Sequence, residues 1–396
     1  MSTEFGPQPS RRPQVWLEAT HTLANRTRTG VGYYTEELIA GIVAADPGRD
    51  YTLVGNVFAS AKPQLPPMPP AVRQRLRVRL SRFFPGKVWN QLFKKRLLPP
   101  LNQLIPGRPN LVVFFNFVRL PVTRGVKTIV TVHDLAYRRF PETVQDRNRA
   151  YLSAFVPRAV AEATHLIAVS EWTKRDLMEY YDTPADKISV VYPGVDLTRY
   201  RPDLPTAELR ARLNLPEHYF LFVSTLEPRK NVLGLIAAYR ALPDEVKRQH
   251  ALVLTGGVGW LADDIMAAIA AGDPVGRIMR TSYVPEADLP TLYNGATAFV
   301  FPSLYEGFGM PVLEAMACGT PVITADNSSL PEVARGASIM VRAEDTQAIS
   351  LAMTELATND GLRADLAIKG LARAQQFTWT NSAQQLKTVV DRVLGQ

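Results

Sequence analysis

The chain has 396 residues, too many for one small module and enough for two or three compact units. With 46% hydrophobic and 21% charged residues it can bury cores along most of its length, which excludes wholesale disorder. The single cysteine, Cys318, excludes a disulfide scaffold and a cysteine-rich zinc site. The net charge of +8 is gathered: fourteen basic side chains and no acidic one lie between Asp50 and Asp134.

Residues 1–13 are polar, predict a disordered tail and hold no apolar stretch of the kind that makes a signal peptide. With the lone cysteine, this predicts a cytoplasmic protein. From 14 to 195, short β-rich runs alternate with helical stretches: VWLEAT, a helix after Gly32, YTLVGNV, LVVFFN, KTIVTV, a helix near 147–163, LIAVS, another helix and ISVVYP. Within this half, KPQLPPMPP at 62–70 cannot be regular structure. Residues 196–204, polar and broken by proline, read as a linker. The series then resumes over 205–375 with YFLFVS, ALVLTG, IMRTSYV, TAFVFPS, PVITA and SIMV. In the tail, 376–396, Leu386, Val389, Val390, Val393 and Leu394 fall at helical spacing and predict an amphipathic helix docked back toward the first half. The alternation predicts an α/β fold of two doubly wound parallel sheets. Ligands of such sheets collect beyond the carboxyl ends of the strands, so a cleft between the halves is where chemistry is expected. No apolar run approaches the ~20 residues of a spanning helix.

The densest signal is PSLYEGFGMPVLEAMACGTP at 302–321, with Glu306 and Glu314 eight positions apart. Gly307 and Gly309 permit tight turns, Pro311 suits the first turn of a helix and Gly319 the position just past its end. Glu306 is then in a loop and Glu314 on a short helix. Backbone N–H groups at such a helix start attract an anion, and a carboxylate beside them accepts hydrogen bonds from sugar hydroxyls. That combination suits a phosphorylated sugar. A second constellation, STLEPRKN at 224–231, follows the strand YFLFVS; Asn231 is predicted to N-cap the next helix, holding Lys230 and Arg229 near its start. Of the five histidines, His133 stands where KTIVTV ends, at the carboxyl end of a strand. Gly30 and Gly32 open a helix after the first strand. Tyr283 and Val284 end another strand. No Asp-x-Asp element and no His/Cys cluster has metal-ligand spacing, so no metal and no other cofactor is expected.

The segment from 302 to 321, taken with the two-sheet alternation, resembles glycosyltransferase family 4, the retaining enzymes of the GT-B fold with two Rossmann-like domains. The resemblance implies that Glu306 contacts the donor sugar, that Gly307, Phe308, Gly309 and Met310 hold sugar and phosphate through their backbone, and that Glu314 binds the ribose hydroxyls. PRKN resembles the family element whose lysine binds the donor diphosphate, which assigns that role to Lys230, with Arg229 beside it. Many relatives carry an arginine five residues before this lysine; here the position is Thr225. By the same resemblance His133 positions the sugar or stabilises the transition state, Gly30 and Gly32 lie over the phosphates, with Arg26 and Arg28 in the same loop, and Tyr283 and Val284 pass the base.

The reading is a retaining hexosyltransferase with a nucleotide sugar as donor, mannose from GDP-mannose preferred, and a lipid-linked or growing surface-polysaccharide acceptor. The alternatives are a rhamnosyl- or glucosyltransferase using a dTDP- or UDP-sugar, an epimerase of similar architecture, and a non-catalytic nucleotide-sugar-binding subunit. The run RQRLRVRLSRFF with WNQLFKKRLL beyond it, residues 73–96, predicts contact with an anionic membrane surface, Phe83, Phe84, Trp89 or Phe93 entering the interface. Nucleic acid is not expected, since no binding motif accompanies the charge.

Overall fold

The computed structural model describes residues 12–24, 30–57, 68–82 and 86–395. Arg26, Arg28, Phe83, Phe84, residues 1–11 and most of the proline-rich stretch lie outside the described residues.

The chain builds two sheets. The first comprises β1 (Gln14–Glu18), β2 (Asp50–Asn56), β3 (Leu76–Ser81), β4 (Leu111–Phe114), β5 (Lys127–Val132), β6 (His165–Ala168) and β7 (Ile188–Val190), in the spatial order β3-β2-β1-β4-β5-β6-β7. The second comprises β8 (His218–Val223), β9 (His250–Thr255), β10 (Ile278–Ser282), β11 (Ala298–Phe301), β12 (Val322–Ala325) and β13 (Ile339–Val341), in the order β10-β9-β8-β11-β12-β13. Every pairing between named strands is parallel. Helices cover both faces of such a sheet, so its strands are apolar on both sides; β4, β9 and β11 are buried at every position. This is why unbroken apolar runs mark the strands in the sequence. The α/β fold of two doubly wound lobes is therefore as expected.

Strand order reverses between β1 and β4 in the first lobe, and between β8 and β11 in the second. At each reversal the connections leave in opposite directions and open a crevice. Both crevices contribute to the site described below.

The basic run is built into the first lobe, and two of its aromatics do not take the expected place. Leu76–Ser81 is β3, an edge strand in register with β2; its ends, Leu76 and Ser81, are buried, while Arg77 and Arg79 face solvent. Arg73 donates to the Leu76 carbonyl at 3.1 Å and Arg75 to the Asp46 carbonyl at 2.9 Å. Charged side chains on an exposed edge block the addition of another strand. Trp89 and Phe93, two of the aromatics expected to enter lipid, are instead packed in the core, Phe93 stacked on Phe155 with ring centroids 4.6 Å apart. Their amphipathic helix, Gly86–Lys94, turns its aromatic side inward because the first lobe needs those rings to complete its core. No helix of the described residues is long and apolar enough to cross a membrane.

The chain crosses between lobes twice. The first crossing follows β7, and the second precedes the last helix, Trp379–Leu394. They pair: Val195 bridges Thr378, and the Val195 N–H donates to the Phe377 carbonyl at 2.9 Å. Gly194 is pressed so closely on this strand that an added Cβ would stand 2.2 Å from Trp379 N. The last helix then lies on the helix Gly30–Ala45, where Gly41 admits Ala383; a Cβ at Gly41 would be 2.8 Å from the Ala383 methyl.

Candidate active site

The second lobe brings its two signal loops together because both leave its crevice. Residues 224–230 follow β8 and residues 302–309 follow β11, the strands flanking the reversal. Pro228–Lys230 makes a single 3-10 turn, and the Arg229 carbonyl accepts from the Leu304 N–H at 2.9 Å, tying one loop to the other. Asn231 does not cap the following helix with its side chain, as the sequence predicts. It adopts a left-handed conformation, φ 54°, and its amide donates to the Ala343 carbonyl at 2.6 Å, lying over Gly234.

Around Glu306 the tied loops assemble two cations and two carboxylates. Lys230 Nζ lies 2.5 Å from Glu306 Oε1, and Arg229 donates to Glu306 Oε2 at 3.2 Å, to the Tyr305 carbonyl at 2.8 Å and to Glu227 at 2.7 Å. Burial disfavours the charged form of Glu306, but Lys230 and Arg229 outweigh it and hold the carboxyl below its ordinary range. Burial raises Glu227, against the pull of the same two cations. Lys230 is pushed down by burial and by Arg229, while Glu306 and Glu227 act the other way. The backbone of the loop is fixed as firmly: Ser328 Oγ accepts the Glu306 N–H at 3.0 Å, and Ser329 Oγ lies 2.9 Å from both the Glu306 and Phe308 carbonyls. Gly309 has φ 112°, a conformation that favours glycine, and turns the chain into the helix Met310–Ala317. Gly319, φ 72°, follows that helix as expected.

Glu314 sits one turn along this helix, with Tyr293 Oη donating to it at 3.0 Å. Burial pushes its carboxyl up to about 7, against the lowering effect of hydrogen bonds from Tyr293 and Tyr200. The two glutamates of one motif thus have opposite characters: Glu306 a paired carboxylate, Glu314 a carboxyl that titrates near neutrality.

The first lobe supplies the facing wall. His133 follows β5 directly, and its Nε2 lies 2.8 Å from the Phe115 carbonyl. A carbonyl only accepts, so Nε2 carries the hydrogen and Nδ1 keeps a lone pair. Burial lowers the imidazole's pKa and keeps it neutral, despite the bond to Phe115 and the charge of Asp134. The Tyr34 ring meets His133 edge-on at 4.9 Å.

Between the walls lies a cavity of about 390 Å³. It is lined by Gly30 and His133 from the first lobe and by Tyr283, Val284, Glu306, Gly307, Phe308, Gly309, Met310 and Glu314 from the second. Arg229 and Lys230 stand behind Glu306, outside the lining, and Gly32 is buried within its helix. Tyr283 is 71% exposed at the rim, with Val284 buried beneath it. Sequence reasoning missed Glu227, Tyr33, Tyr200 and Trp379. Glu227 lies within STLEPRKN, and its separation by one residue from Arg229 is a local signal for the pair; the other three reach the cavity only through the tertiary fold.

The lobes touch through specific bonds. The Glu332 carboxylate of the second lobe accepts the Glu171 and Trp172 N–H groups at 2.8 and 2.7 Å, covering the start of the helix Glu171–Tyr181 in the first. Trp260 Nε1 donates to the Thr143 carbonyl at 2.7 Å. Gly307 packs directly on the His133 backbone.

Two doubly wound sheets that meet at their strand reversals, with Glu306 and Glu314 on the cavity between them and two buried cations behind Glu306, make the GT-B arrangement. Known proteins agree. A family model described as "Glycosyltransferase Family 4" matches residues 28–199, and one described as "Glycosyl transferases group 1" matches 206–373. The chain is 34% identical over 262 residues to the O-antigen chain mannosyltransferase B of Escherichia coli, covering 65% of this chain and 68% of that protein. It is 31% identical over 269 residues to the serotype-specific mannosyltransferase WbdA of E. coli, but spans only 32% of WbdA's length against 65% of its own. Among solved structures, sucrose-phosphate synthase from Thermosynechococcus elongatus superposes with a TM-score of 0.72 at 20% identity, over 97% of this chain and all of that one. WaaG, a glycosyltransferase involved in lipopolysaccharide biosynthesis, gives 0.67 at 17% identity, with 97% and 100% coverage. The chain belongs to glycosyltransferase family 4, and it is a hexosyltransferase.

Proposed function

We propose that this enzyme transfers mannose from GDP-mannose, with retention of anomeric configuration, to a lipid-linked or growing surface-polysaccharide acceptor. The observation that carries the transfer chemistry is the Glu306 carboxylate, fixed by Lys230 and Arg229 and facing neutral His133 across one cavity. A carboxylate so held accepts hydrogen bonds from the donor sugar's hydroxyls, while Lys230, Arg229 and the N-terminal turn of Met310–Ala317 offset charge on the departing diphosphate. The acceptor oxygen attacks the anomeric carbon from the face that the diphosphate leaves, and a leaving phosphate oxygen takes its proton. Mannose rests on the mannosyltransferases among the relatives. No divalent ion is part of this proposal, so EDTA should leave the rate unchanged.

The test is a donor panel of GDP-mannose, UDP- and dTDP-sugars with a lipid-linked acceptor, reading released nucleoside diphosphate and the product's anomeric coupling by NMR. A β-linked mannoside ends the claim of retention; release from UDP- or dTDP-sugars alone ends the claim for GDP-mannose. Residues 73–96 are proposed to approach anionic lipid through charge, without burying Trp89 or Phe93 in it. Flotation with phosphatidylglycerol vesicles that is unchanged when Arg82, Lys94 and Lys95 are neutralised would remove that proposal.

A further inference from the structure

Tyr305 precedes the carboxylate that faces the sugar, yet its ring points away from the cavity and into the first lobe. It is 1% exposed. Its hydroxyl accepts the Leu135 N–H at 3.1 Å and donates to Asp176 Oδ2 at 2.6 Å. Leu135 is two residues beyond His133, and Asp176 lies on the helix Glu171–Tyr181. Asp176 is itself fixed, its other oxygen accepting from Arg139 Nε at 3.2 Å and from an Arg139 terminal nitrogen at 2.8 Å. Arg139 in turn lies over the rings of Trp172 and Tyr180 at 5.6 and 5.4 Å. At the other end of Tyr305, its carbonyl accepts from Arg229, which also holds Glu306.

One residue thus connects the loop that carries Glu306 to the loop that carries His133, with hydrogen bonds at both ends of its side chain and backbone. Packing alone does not need the hydroxyl; a phenylalanine would fill the same volume. The hydroxyl supplies direction, since it can satisfy a fixed N–H and a fixed carboxylate together only at one separation of the lobes. We infer that Tyr305 is a positioning residue that sets the register of His133 against Glu306 across the cleft. The inference rests on the reading above that the donor sugar lies between those two side chains.

The test compares Tyr305→Phe, Asp176→Asn and the double variant, using whichever nucleotide sugar the wild-type protein turns over, so that a wrong donor and a wrong role for Tyr305 give different results. On the same reading the corresponding nucleoside diphosphate is held chiefly by second-lobe residues that Tyr305 does not touch, so its Kd should stay within about twofold of wild type. Misplacement by about 1 Å should lower kcat by about 100-fold. Amide exchange at Leu135 should accelerate in Tyr305→Phe, a readout independent of turnover. The double variant should be no slower than the slower single one, because both remove the same strut. Wild-type kcat in Tyr305→Phe, losses that multiply in the double variant, or a fall in nucleotide affinity parallel to the fall in kcat would each overturn the inference. Asp176→Asn keeps the test decisive should Tyr305→Phe fold poorly.

Discussion

Replacing Gly307 by alanine adds one methyl group where the lobes meet backbone to backbone. Its carbon would stand 1.8 Å from the His133 carbonyl oxygen, 2.9 Å from the carbonyl carbon and 3.0 Å from Asp134 Cβ. Gly307 is not in the left-handed region, so the cost is one of space alone. Because the obstacle is backbone, no side chain can rotate away; reaching ordinary van der Waals contact requires the lobes to part by roughly 1.5 Å. Overfilling of this kind costs about 1–3 kcal/mol in a packed interior. The larger effect is on rate, because the same displacement moves His133 from Glu306, and a misplacement of about 1 Å can cost about 100-fold. The assay is steady-state release of nucleoside diphosphate, with thermal melting alongside. Gly257→Ala is the control, its added carbon meeting nothing within 4 Å. If Gly307→Ala turns over and melts like wild type, or if Gly257→Ala loses as much, the claim that this contact sets the cleft is wrong.

Glu314→Gln gives a pH-dependent result whose sign follows from burial. The carboxyl titrates near 7 when folded and near its ordinary 4.5 when unfolded, so between those values the folded state binds more protons and stability falls as pH rises. Removing the ionisation should raise stability at pH 5 by less than about 1 kcal/mol and at pH 8 by about 3 kcal/mol; equal melting shifts at both pH values would contradict the assignment. The same variant should lose the strengthening of donor binding that titration calorimetry is expected to show in wild type between pH 6 and 8. Glu332→Ala uncovers the start of the helix Glu171–Tyr181 and should cost about 1 kcal/mol, with faster exchange of the Glu171 and Trp172 amides. Unaltered exchange there would show that the carboxylate does not bridge the lobes in solution.

The two-sheet fold is legible because parallel strands buried on both faces write themselves as short apolar runs, and KTIVTV, ALVLTG and TAFVFPS needed no tertiary information. The helix after Glu306 is legible for a local reason as well: Pro311 and Gly319 punctuate its ends. Less legible was the segment 73–84. Its LRVRLS alternates with period two, the mark of a strand, but arginines occupy the alternate positions, so no unbroken apolar run marks it as in the central strands. Trp89 and Phe93 show the same limit, since an amphipathic helix does not reveal whether its apolar side meets a core or a lipid surface. Within the site, the E-x7-E spacing placed both glutamates on the cavity, whereas the opposite behaviour of the two carboxyls depends on Lys230 and Arg229 standing behind one and tyrosines around the other. Lys230 and Arg229 are 76 and 77 residues from Glu306, and Tyr293 is 21 from Glu314, distances at which a single sequence carries no pairing signal.

The paired crossings at Val195 and Thr378 join the lobes as a door is joined to its frame, at two points and not one. A single tether would let one lobe swivel freely against the other, whereas two strands bonded side by side, as Val195 and Thr378 are, should confine any relative motion to bending about their common line. The helix beginning at Trp379 belongs to the frame on which the door hangs, and Trp379 itself lines the cavity. Cutting the chain before residue 379 would therefore remove one of the two joints and part of the doorway together.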